Sequence, residues 1–389
     1  MFSNRLDFDL RPNRLADLYS RKVSCGSQVI DLTLSNPTKA GLAYPREDLK
    51  ILMAESSGGN YNPDPRGLEE ARSAVSAYYR ERGWDVSPEE IIITAGTSEA
   101  YSFLFRLLAD PGEEVMIPRP GYPLFDYLLR LDGLTPVSLP LRYSEGWWYD
   151  FGCLDKGDAA RAIVLISPGN PCGNYVKEGE WSEFIRRSSE GGTALICDEV
   201  FHDFGLKGHA PVVDMCREEG TLSFILNGFS KTAGLPQAKM SWIVVRGPAG
   251  LKEEALGKLE LISDTFLSAS TMVQRAAAGI FKLAPKIRDQ ISTRVNANLD
   301  FLEKNCSGST MDCLRVEGGW SALLKLPGLM DSGQWSLELL DRHQVLTHPG
   351  DFFNLSGGPF LVVSLLPDQD SFREGFNRIA EASQGLNSD

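Results

Sequence analysis

The stretch AIVLISPGNPCG, residues 162–173, is a short apolar run that ends in a cluster of Ser, Pro, Gly and Asn. Runs of this length, rich in Ile and Val and bounded by turn-forming residues, are typical of strands buried on both faces of a sheet. With Ala162–Ser167 as one member, there are seven such runs, the others being Ile91–Thr94, Val115–Pro118, Thr135–Leu139, Ala194–Cys197, Leu222–Leu226 and Trp242–Val245.

Between most of these runs lies a stretch that is long enough for a crossover helix. Apolar stripes predict helices at Ser98–Ala109, Pro123–Leu131 and Trp181–Ser188. Strands that alternate with helices form parallel sheets with helices packed on both faces. The sequence therefore predicts an α/β fold with a doubly wound, mostly parallel seven-stranded sheet.

The segments on either side of this region have a different pattern. A short helix is predicted at Arg14–Lys22, and apolar strands are predicted at Ala322–Leu326 and Phe360–Leu365. We therefore expect a second, smaller α+β domain that is built from both ends of the chain. The expected boundaries are residues 46–275 for the large domain, and residues 1–45 and 276–389 for the small one.

The composition excludes several classes of function. The chain has 389 residues, of which 42% are hydrophobic and 23% charged, as in ordinary globular proteins. Its net charge of −13 repels nucleic acid and anionic lipid, so neither is an expected partner. The seven cysteines form no Cys-x-x-Cys pair, so we expect reduced thiols and no metal site. Asp7 and Asp9 stand where a signal peptide would be apolar, which favours a cytoplasmic enzyme.

Polar residues follow the ends of the predicted strands, where ligands bind in open α/β sheets. The first run leads into Gly96, Thr97 and Ser98. Glycine and hydroxyl groups at the start of a helix form an anion site, because free backbone N–H groups point at the ligand. A simple Thr or Ser N-cap is the alternative interpretation of this motif.

Three further residues occupy equivalent places. Asn170 lies in a predicted tight turn, Asp198 ends a buried strand, and Lys231 follows Ser230 just past another strand. A buried carboxylate needs a cation or hydrogen-bond donors, and a lysine in such a position can act as a Schiff-base nucleophile. Taken singly, each has an ordinary alternative: a turn-forming Asn, a helix cap and a solvated surface lysine.

Taken together, these motifs resemble those of the fold type I pyridoxal-phosphate enzymes, specifically the class I/II aminotransferases. The resemblance extends from about Asp31 to Phe376, almost the whole chain. Its motifs are Tyr61…Gly67, Gly96-Thr97-Ser98, Pro120-Gly121-Tyr122-Pro123, Asn170-Pro171-x-Gly173, Asp198-Glu199-Val200 and Ser230-Lys231. The resemblance implies a transferase that uses pyridoxal 5'-phosphate to move an amino group from an amino donor to a keto acid.

The resemblance also implies roles for the central residues. Lys231 would form a Schiff base with the cofactor and later shuttle a proton. Asp198 would face the pyridine nitrogen, Asn170 would donate a hydrogen bond to the phenolate oxygen, and the Tyr122 ring would lie over the pyridine face.

The cofactor phosphate would be held by a separate group of residues, Gly96, Thr97, Ser98 and Ser230. Tyr61 would reach the phosphate of a neighbouring subunit, which implies a homodimer.

Several positions depart from the family pattern. Phe201 stands where a tyrosine usually reaches the phenolate oxygen, and Lys239 where an arginine usually binds the phosphate. Lysine supplies the charge but not the bidentate geometry of arginine. Gly228 stands where many members have serine.

The largest departure concerns the substrate. Val362 stands where most members have the arginine that binds the substrate α-carboxylate. Either another cation replaces that arginine, or the substrate is not a standard α-amino acid. Lys39 is a candidate replacement, with a solvated lysine as the alternative. Trp320 is expected to line the substrate pocket, unless it is a core residue.

Two other classes of function remain open at this point. One is a different pyridoxal-phosphate reaction, β-elimination or decarboxylation, on a substrate without the usual carboxylate contact. The other, more remote, is a non-catalytic domain that only binds the cofactor.

Overall fold

A computed structural model describes residues 2–152 and 160–385 of the chain. The strands are β1 (Ile30–Asp31), β2 (Ile91–Thr94), β3 (Glu114–Arg119), β4 (Thr135–Tyr143), β5 (Trp147–Tyr149), β6 (Ala162–Ile166), β7 (Ala194–Asp198), β8 (Ser223–Gly228), β9 (Ser241–Arg246), β10 (Asp312–Cys313), β11 (Ser321–Lys325), β12 (Val345–Leu346), β13 (His348–Pro349) and β14 (Phe360–Ser364). The helices are α1 (Arg14–Ser24), α2 (Arg46–Glu55), α3 (Glu69–Glu81), α4 (Thr97–Leu108), α5 (Leu124–Leu131), α6 (Glu178–Gly191), α7 (Phe229–Thr232), α8 (Ala249–Phe266), α9 (Thr271–Cys306), α10 (Ser332–His343) and α11 (Gln369–Gly385).

The largest sheet has the strand order β2-β9-β8-β7-β6-β3-β4-β5. Strands β8, β7, β6, β3 and β4 pair in parallel, whereas β9 is antiparallel to both of its neighbours. The predicted doubly wound, mostly parallel sheet is confirmed, and all seven predicted strands are present. The eighth, β5, was not predicted, because three residues at a sheet edge are too short to show a period.

The apolar runs are continuous because each strand contributes to two cores. Ile91 and Ile93 pack into one core, and Ile92 between them packs into the other. Successive side chains on a strand point to opposite faces, so a sheet covered on both faces needs apolar residues at every position.

A smaller antiparallel sheet, in the order β10-β11-β14-β13, lies nearer the end of the chain. Strand β1 pairs in parallel with β12, which joins an early segment of the chain to this late part. In the small sheet, Val362 lies opposite Leu323 on β11 and opposite His348 on β13. This pairing places Val362 between a buried leucine and His348, and Val362 and His348 line the same cavity.

Two further properties bear on the sequence-based expectations. Six cysteines are free thiols, and Cys153 lies outside the described residues. Within the described ranges, none of the helices combines the length and the apolar character needed to cross a membrane.

Candidate active site

A cleft of about 760 Å³ opens where β2, β6, β7 and β8 end. These strands run in the same direction, so the residues that follow them meet at one edge of the sheet. Nine of the expected site residues line this cleft, namely Thr97, Ser98, Tyr122, Asn170, Asp198, Phe201, Ser230, Lys231 and Trp320.

Lys231 lies on the short helix α7, directly after β8. The turn into α7 is fixed by the buried Asn227, whose side-chain oxygen accepts hydrogen bonds from the Gly228 N–H at 2.7 Å and the Thr232 hydroxyl at 2.9 Å. Lys231 Nζ lies 4.8 Å from the centre of the Trp320 ring and 5.2 Å from that of Phe201. Burial among these rings lowers the pKa of the Lys231 amine to about 8, although attraction to Asp198 opposes the shift.

This lowered pKa predicts how loading with pyridoxal phosphate depends on pH. Attack on an aldehyde needs the neutral amine, and a pKa near 8 makes the amine neutral well below its usual pKa of 10.5. We expect the rate constant for loading the cofactor-free protein to rise from pH 7 and level off above about pH 9, whereas that of a free lysine derivative should keep rising. A rate that keeps rising through pH 10 would show an ordinary lysine.

The glycine at position 228 has a local steric cause. A Cβ atom there would lie 2.1 Å from Ser241 Oγ and 2.8 Å from Ser241 Cβ, so the Ser241 side chain fills the space of any larger residue. Ser241 is itself buried. The side chain of Ser241 on the neighbouring strand β9 therefore explains why position 228 has a glycine where many family members have serine.

Gly228→Ala is expected to destabilise the protein by about 1–3 kcal/mol, because it overpacks a buried site. The measurement is the midpoint of urea unfolding of the cofactor-free protein. Gly257→Ala is the matched control, since Gly257 in α8 has open space around its Cα and alanine favours a helix. Equal midpoints for Gly228→Ala and the wild type would contradict the steric account.

Asp198 is buried at the end of β7 and is held by two donors. The Tyr101 hydroxyl donates to its Oδ2 at 2.8 Å, and the Val200 N–H donates to its Oδ1 at 2.9 Å. Burial raises the pKa of the Asp198 carboxyl to about 6, against the opposing effect of these donors and of Lys231. This carboxyl is therefore held in place and lies in an environment where a nearby positive charge would stabilise it.

The turn that carries Asn170 is fixed by backbone contacts. The Gly173 N–H donates to the Gly169 carbonyl at 2.7 Å, and the Gly173 carbonyl accepts from the Gly318 N–H at 2.9 Å. Gly173 has a φ of +68°, and a Cβ there would lie 2.5 Å from Val316 Cγ1. The turn is thereby tied to the segment that leads into Trp320.

The residues expected to hold a phosphate lie together at the start of α4. Gly96 caps this helix, and Thr97 and Ser98 open it with their free backbone N–H groups. A Cβ added to Gly96 would lie 3.2 Å from Lys239 Nζ, so the ammonium group lies against the Gly96 backbone. Hydroxyls, free N–H groups and an ammonium form a donor set that fits a phosphate, and with Asp198 and Lys231 the cleft fits pyridoxal phosphate.

Two of the expected residues lie elsewhere. Lys39 is the last residue of the turn Pro37–Lys39 and lines a second cavity of about 700 Å³ with Asp31 and Arg294. It is not among the residues around Lys231, so the proposed replacement for the missing arginine must be sought elsewhere. Tyr61 is 72% exposed and borders a third cavity, away from the cleft of its own chain.

Comparison with known proteins agrees with this geometry. The sequence model of the family described as aminotransferase class I and II matches residues 27–378. The chain belongs to this family.

Its relatives differ in reaction and substrate. The aminotransferase is 26% identical over 361 residues to nicotianamine aminotransferase 1 from rice, Oryza sativa subsp. japonica, covering 88% of this chain and 72% of that protein. It is 29% identical over 246 residues to the S-alkyl-thiohydroximate lyase SUR1 of Arabidopsis thaliana, covering 62% of this chain. That match spans only about half of the lyase, 53%.

The fold is shared with an alanine aminotransferase from Pyrococcus furiosus, with a TM-score of 0.89 and 23% identity. The match covers 99% of this chain and all of that one, 100%. The protein is thus a pyridoxal-phosphate-dependent aminotransferase of fold type I that acts on an amino donor and a keto acid.

Several residues that line the cleft of the aminotransferase were not identified from the sequence. Phe8 and Asn13 come from the N-terminal arm, residues 2–13 before α1, Arg130 from α5, and His348 from β13. No local motif marks them, because they reach the cleft only through contacts between distant segments. Tyr101 is the exception, since it lies one helical turn after Thr97 on α4, where it faces the strand ends.

Proposed function

We propose that Lys231 is the residue that attaches the cofactor of this aminotransferase covalently and then moves the substrate proton. When bound, pyridoxal phosphate supplies an electron sink that acidifies the amino-bearing carbon of the substrate. The observation that carries the proposal is the position of the Lys231 amine, which lies in the cleft with its pKa lowered to about 8. An amine with this pKa accepts and returns a proton readily near neutral pH.

Three other side chains orient the cofactor in this proposal. Asp198, fixed by Tyr101 and Val200, holds a proton on the pyridine nitrogen through its negative charge. Asn170 donates to the phenolate oxygen, and the Tyr122 ring covers one face of the pyridine. The hydroxyls of Thr97, Ser98 and Ser230 and the backbone after Gly96 bind the phosphate.

Phe201 has no hydroxyl to add a second donor at the phenolate oxygen. Its ring instead packs against Trp320, with centres 5.3 Å apart, and both rings line the cleft. We assign Trp320 to the wall of the substrate pocket, next to the Lys231 amine.

Lys239 provides the positive charge for the phosphate in this proposal, and Lys239→Ala should weaken cofactor retention. Because Lys239 is exposed, solvent reduces the effect, and we expect the dissociation constant to rise about tenfold. Equilibrium dialysis of the cofactor measures this, and Lys239→Arg should retain it at least as well as the wild type. Equal affinities of the wild type and Lys239→Ala would remove Lys239 from the site.

The proposal extends to the subunit assembly, the cellular location and the domain boundaries. We infer a homodimer in which Tyr61, exposed and outside the cleft of its own chain, reaches the phosphate of the partner subunit. We also propose a cytoplasmic enzyme with a large domain at residues 46–275 and a small domain from residues 1–45 and 276–389. A mixed dimer of one Tyr61→Phe subunit and one Lys231→Ala subunit tests the shared site. One of its two sites combines an intact Lys231 with the intact Tyr61 of the other subunit, so that site should retain the cofactor.

Product analysis separates transamination from elimination. The purified protein, loaded with pyridoxal phosphate, is given an amino donor and a keto acid labelled with carbon-13. Transfer predicts a labelled amino acid and one equivalent of carbonyl product, with no free ammonia. Release of ammonia without need for the keto acid would instead indicate a lyase, the activity in the name of the Arabidopsis relative.

A further inference from the structure

We propose that Arg130 binds a substrate carboxylate that is remote from the reacting amino carbon, so that this enzyme selects ω-amino acids and dicarboxylic amino acids by their distal carboxylate. The inference rests on the proposed function of Lys231. It differs from recognition of the α-carboxylate, which most aminotransferases of this family bind through the arginine that Val362 replaces.

The wall of the cleft at Val362 offers no charge to an α-carboxylate. Val362 lines the cleft and is 3% exposed, and its strand neighbour Leu323 is fully buried. On the other side it pairs with His348, where burial lowers the pKa of the imidazole, so the ring is neutral at pH 7. A carboxylate placed there would lose its hydration without gaining a cation.

The cleft does contain a permanent cation. Among the described residues that line it, Lys231 is the only lysine and Arg130 the only arginine, and the guanidinium of Arg130 stays charged at every working pH. Lys231 is assigned to the cofactor. Arg130 forms no ion pair within the described ranges, and the acid nearest to it on α5, Asp126, is bound by Arg119.

The Arg130 side chain is positioned by the N-terminal arm. Its guanidinium carbon lies 5.3 Å from the centre of the Phe8 ring, which in turn lies 4.9 Å from the Tyr127 ring. A guanidinium stacked on an aromatic face keeps its N–H edge free for bidentate binding of a carboxylate. The arm thus holds a cation at the cleft without neutralising it.

Arg130 lies near the far end of α5 from Tyr122. Arg130 lies six residues after Leu124, which corresponds to about 9 Å along the helix axis from the end that carries Tyr122. The amino carbon must lie near Lys231 and Tyr122. A carboxylate at Arg130 is therefore separated from the reacting carbon by a chain of several atoms.

The reaction balances without an added oxidant. For 4-aminobutanoate, the CH₂–NH₂ carbon becomes an aldehyde, and the carbonyl carbon of the keto acid becomes CH–NH₂. The amino group and one hydrogen move to the keto acid, and the carbonyl oxygen moves the other way. The distal carboxylate takes no part in bond changes and only positions the chain.

Three donors test the inference by removing one carboxylate at a time. Glutamate carries both carboxylates, 4-aminobutanoate only the distal one, and 2-aminobutanoate only the α-carboxylate. The rate constant of the change in cofactor absorbance, without keto acid, is measured for each. We expect 4-aminobutanoate to react within about threefold of glutamate and 2-aminobutanoate to react at least about tenfold more slowly.

The variant Arg130→Gln should lower the rate constants of glutamate and 4-aminobutanoate at least about tenfold and leave that of 2-aminobutanoate unchanged. Arg373→Gln is the matched control, since Arg373 is an exposed arginine over a phenylalanine ring, Phe301, on α11 and away from the cleft. Calorimetry of glutarate with the cofactor-free protein gives a second readout, with a dissociation constant at least about tenfold higher in Arg130→Gln only.

Two results would overturn the inference. One is fast reaction of 2-aminobutanoate with an inert 4-aminobutanoate, and the other is identical behaviour of Arg130→Gln and Arg373→Gln. If no amino compound changes the cofactor absorbance although the cofactor is bound, the proposed function of Lys231 fails instead.

Discussion

Lys231→Ala is expected to lower the rate of amino-group transfer by at least about 10⁴-fold, because the proposed function assigns both the covalent attachment and the proton transfer to this one side chain. Lys231 is the only lysine among the described residues that line the cleft. Arg130, which also lines it, cannot be deprotonated to act as a base. The measurement is kcat/KM for donor and keto acid in the loaded enzyme.

The matched control for this variant is Lys282→Ala, an exposed lysine on α9 that should retain the wild-type rate. Folding of Lys231→Ala is checked by urea unfolding, and removal of this half-buried amine, whose charge is disfavoured in the cleft, should not lower the midpoint. Activity of a folded Lys231→Ala within tenfold of the wild type would refute the role of this lysine.

Asp198→Ala has the second-largest expected effect, a loss of at least about 10²–10³-fold in kcat. Removal of a single preorganised group that stabilises the transition state of an enzyme has an effect of this size. The carboxylate is fixed by the Tyr101 hydroxyl and the Val200 N–H, so its charge is directed at one place. In the proposed function this charge would keep the pyridine nitrogen of the bound cofactor protonated, and the variant would lose that effect.

A cofactor analogue separates this role from a structural one. Pyridoxal phosphate methylated at the ring nitrogen carries a fixed positive charge that needs no carboxylate to maintain it. We expect the analogue to raise the kcat of Asp198→Ala at least about tenfold above the value with the natural cofactor. If the analogue and the natural cofactor give the same low rate, Asp198 acts through folding alone.

The sheet could be predicted from the sequence because its strands are buried on both faces. Ile91–Thr94 is apolar or small throughout, and the structure assigns the same four residues to β2. The short edge strand Trp147–Tyr149 lacks this signature, since its middle residue is exposed. Burial on one side of three residues leaves no pattern that distinguishes a strand from a loop.

The part of the candidate site that lies on strand ends was equally accessible to sequence analysis. Asn170, Asp198 and Lys231 each follow a recognisable buried run, and the parallel sheet brings them to one cleft. Arg130 and Phe8 come from different segments, and only their packing places them there. Lys39 was misleading for the same reason, because the turn after Asn36 directs it to another cavity.

The central claim is that Lys231 carries the cofactor, and one measurement tests it most directly. The enzyme loaded with pyridoxal phosphate is reduced with borohydride, digested and mapped by mass spectrometry. The account predicts one pyridoxyl group per chain, on Lys231. A pyridoxyl group on Lys239, Lys39 or any other lysine, with Lys231 unmodified, would contradict it.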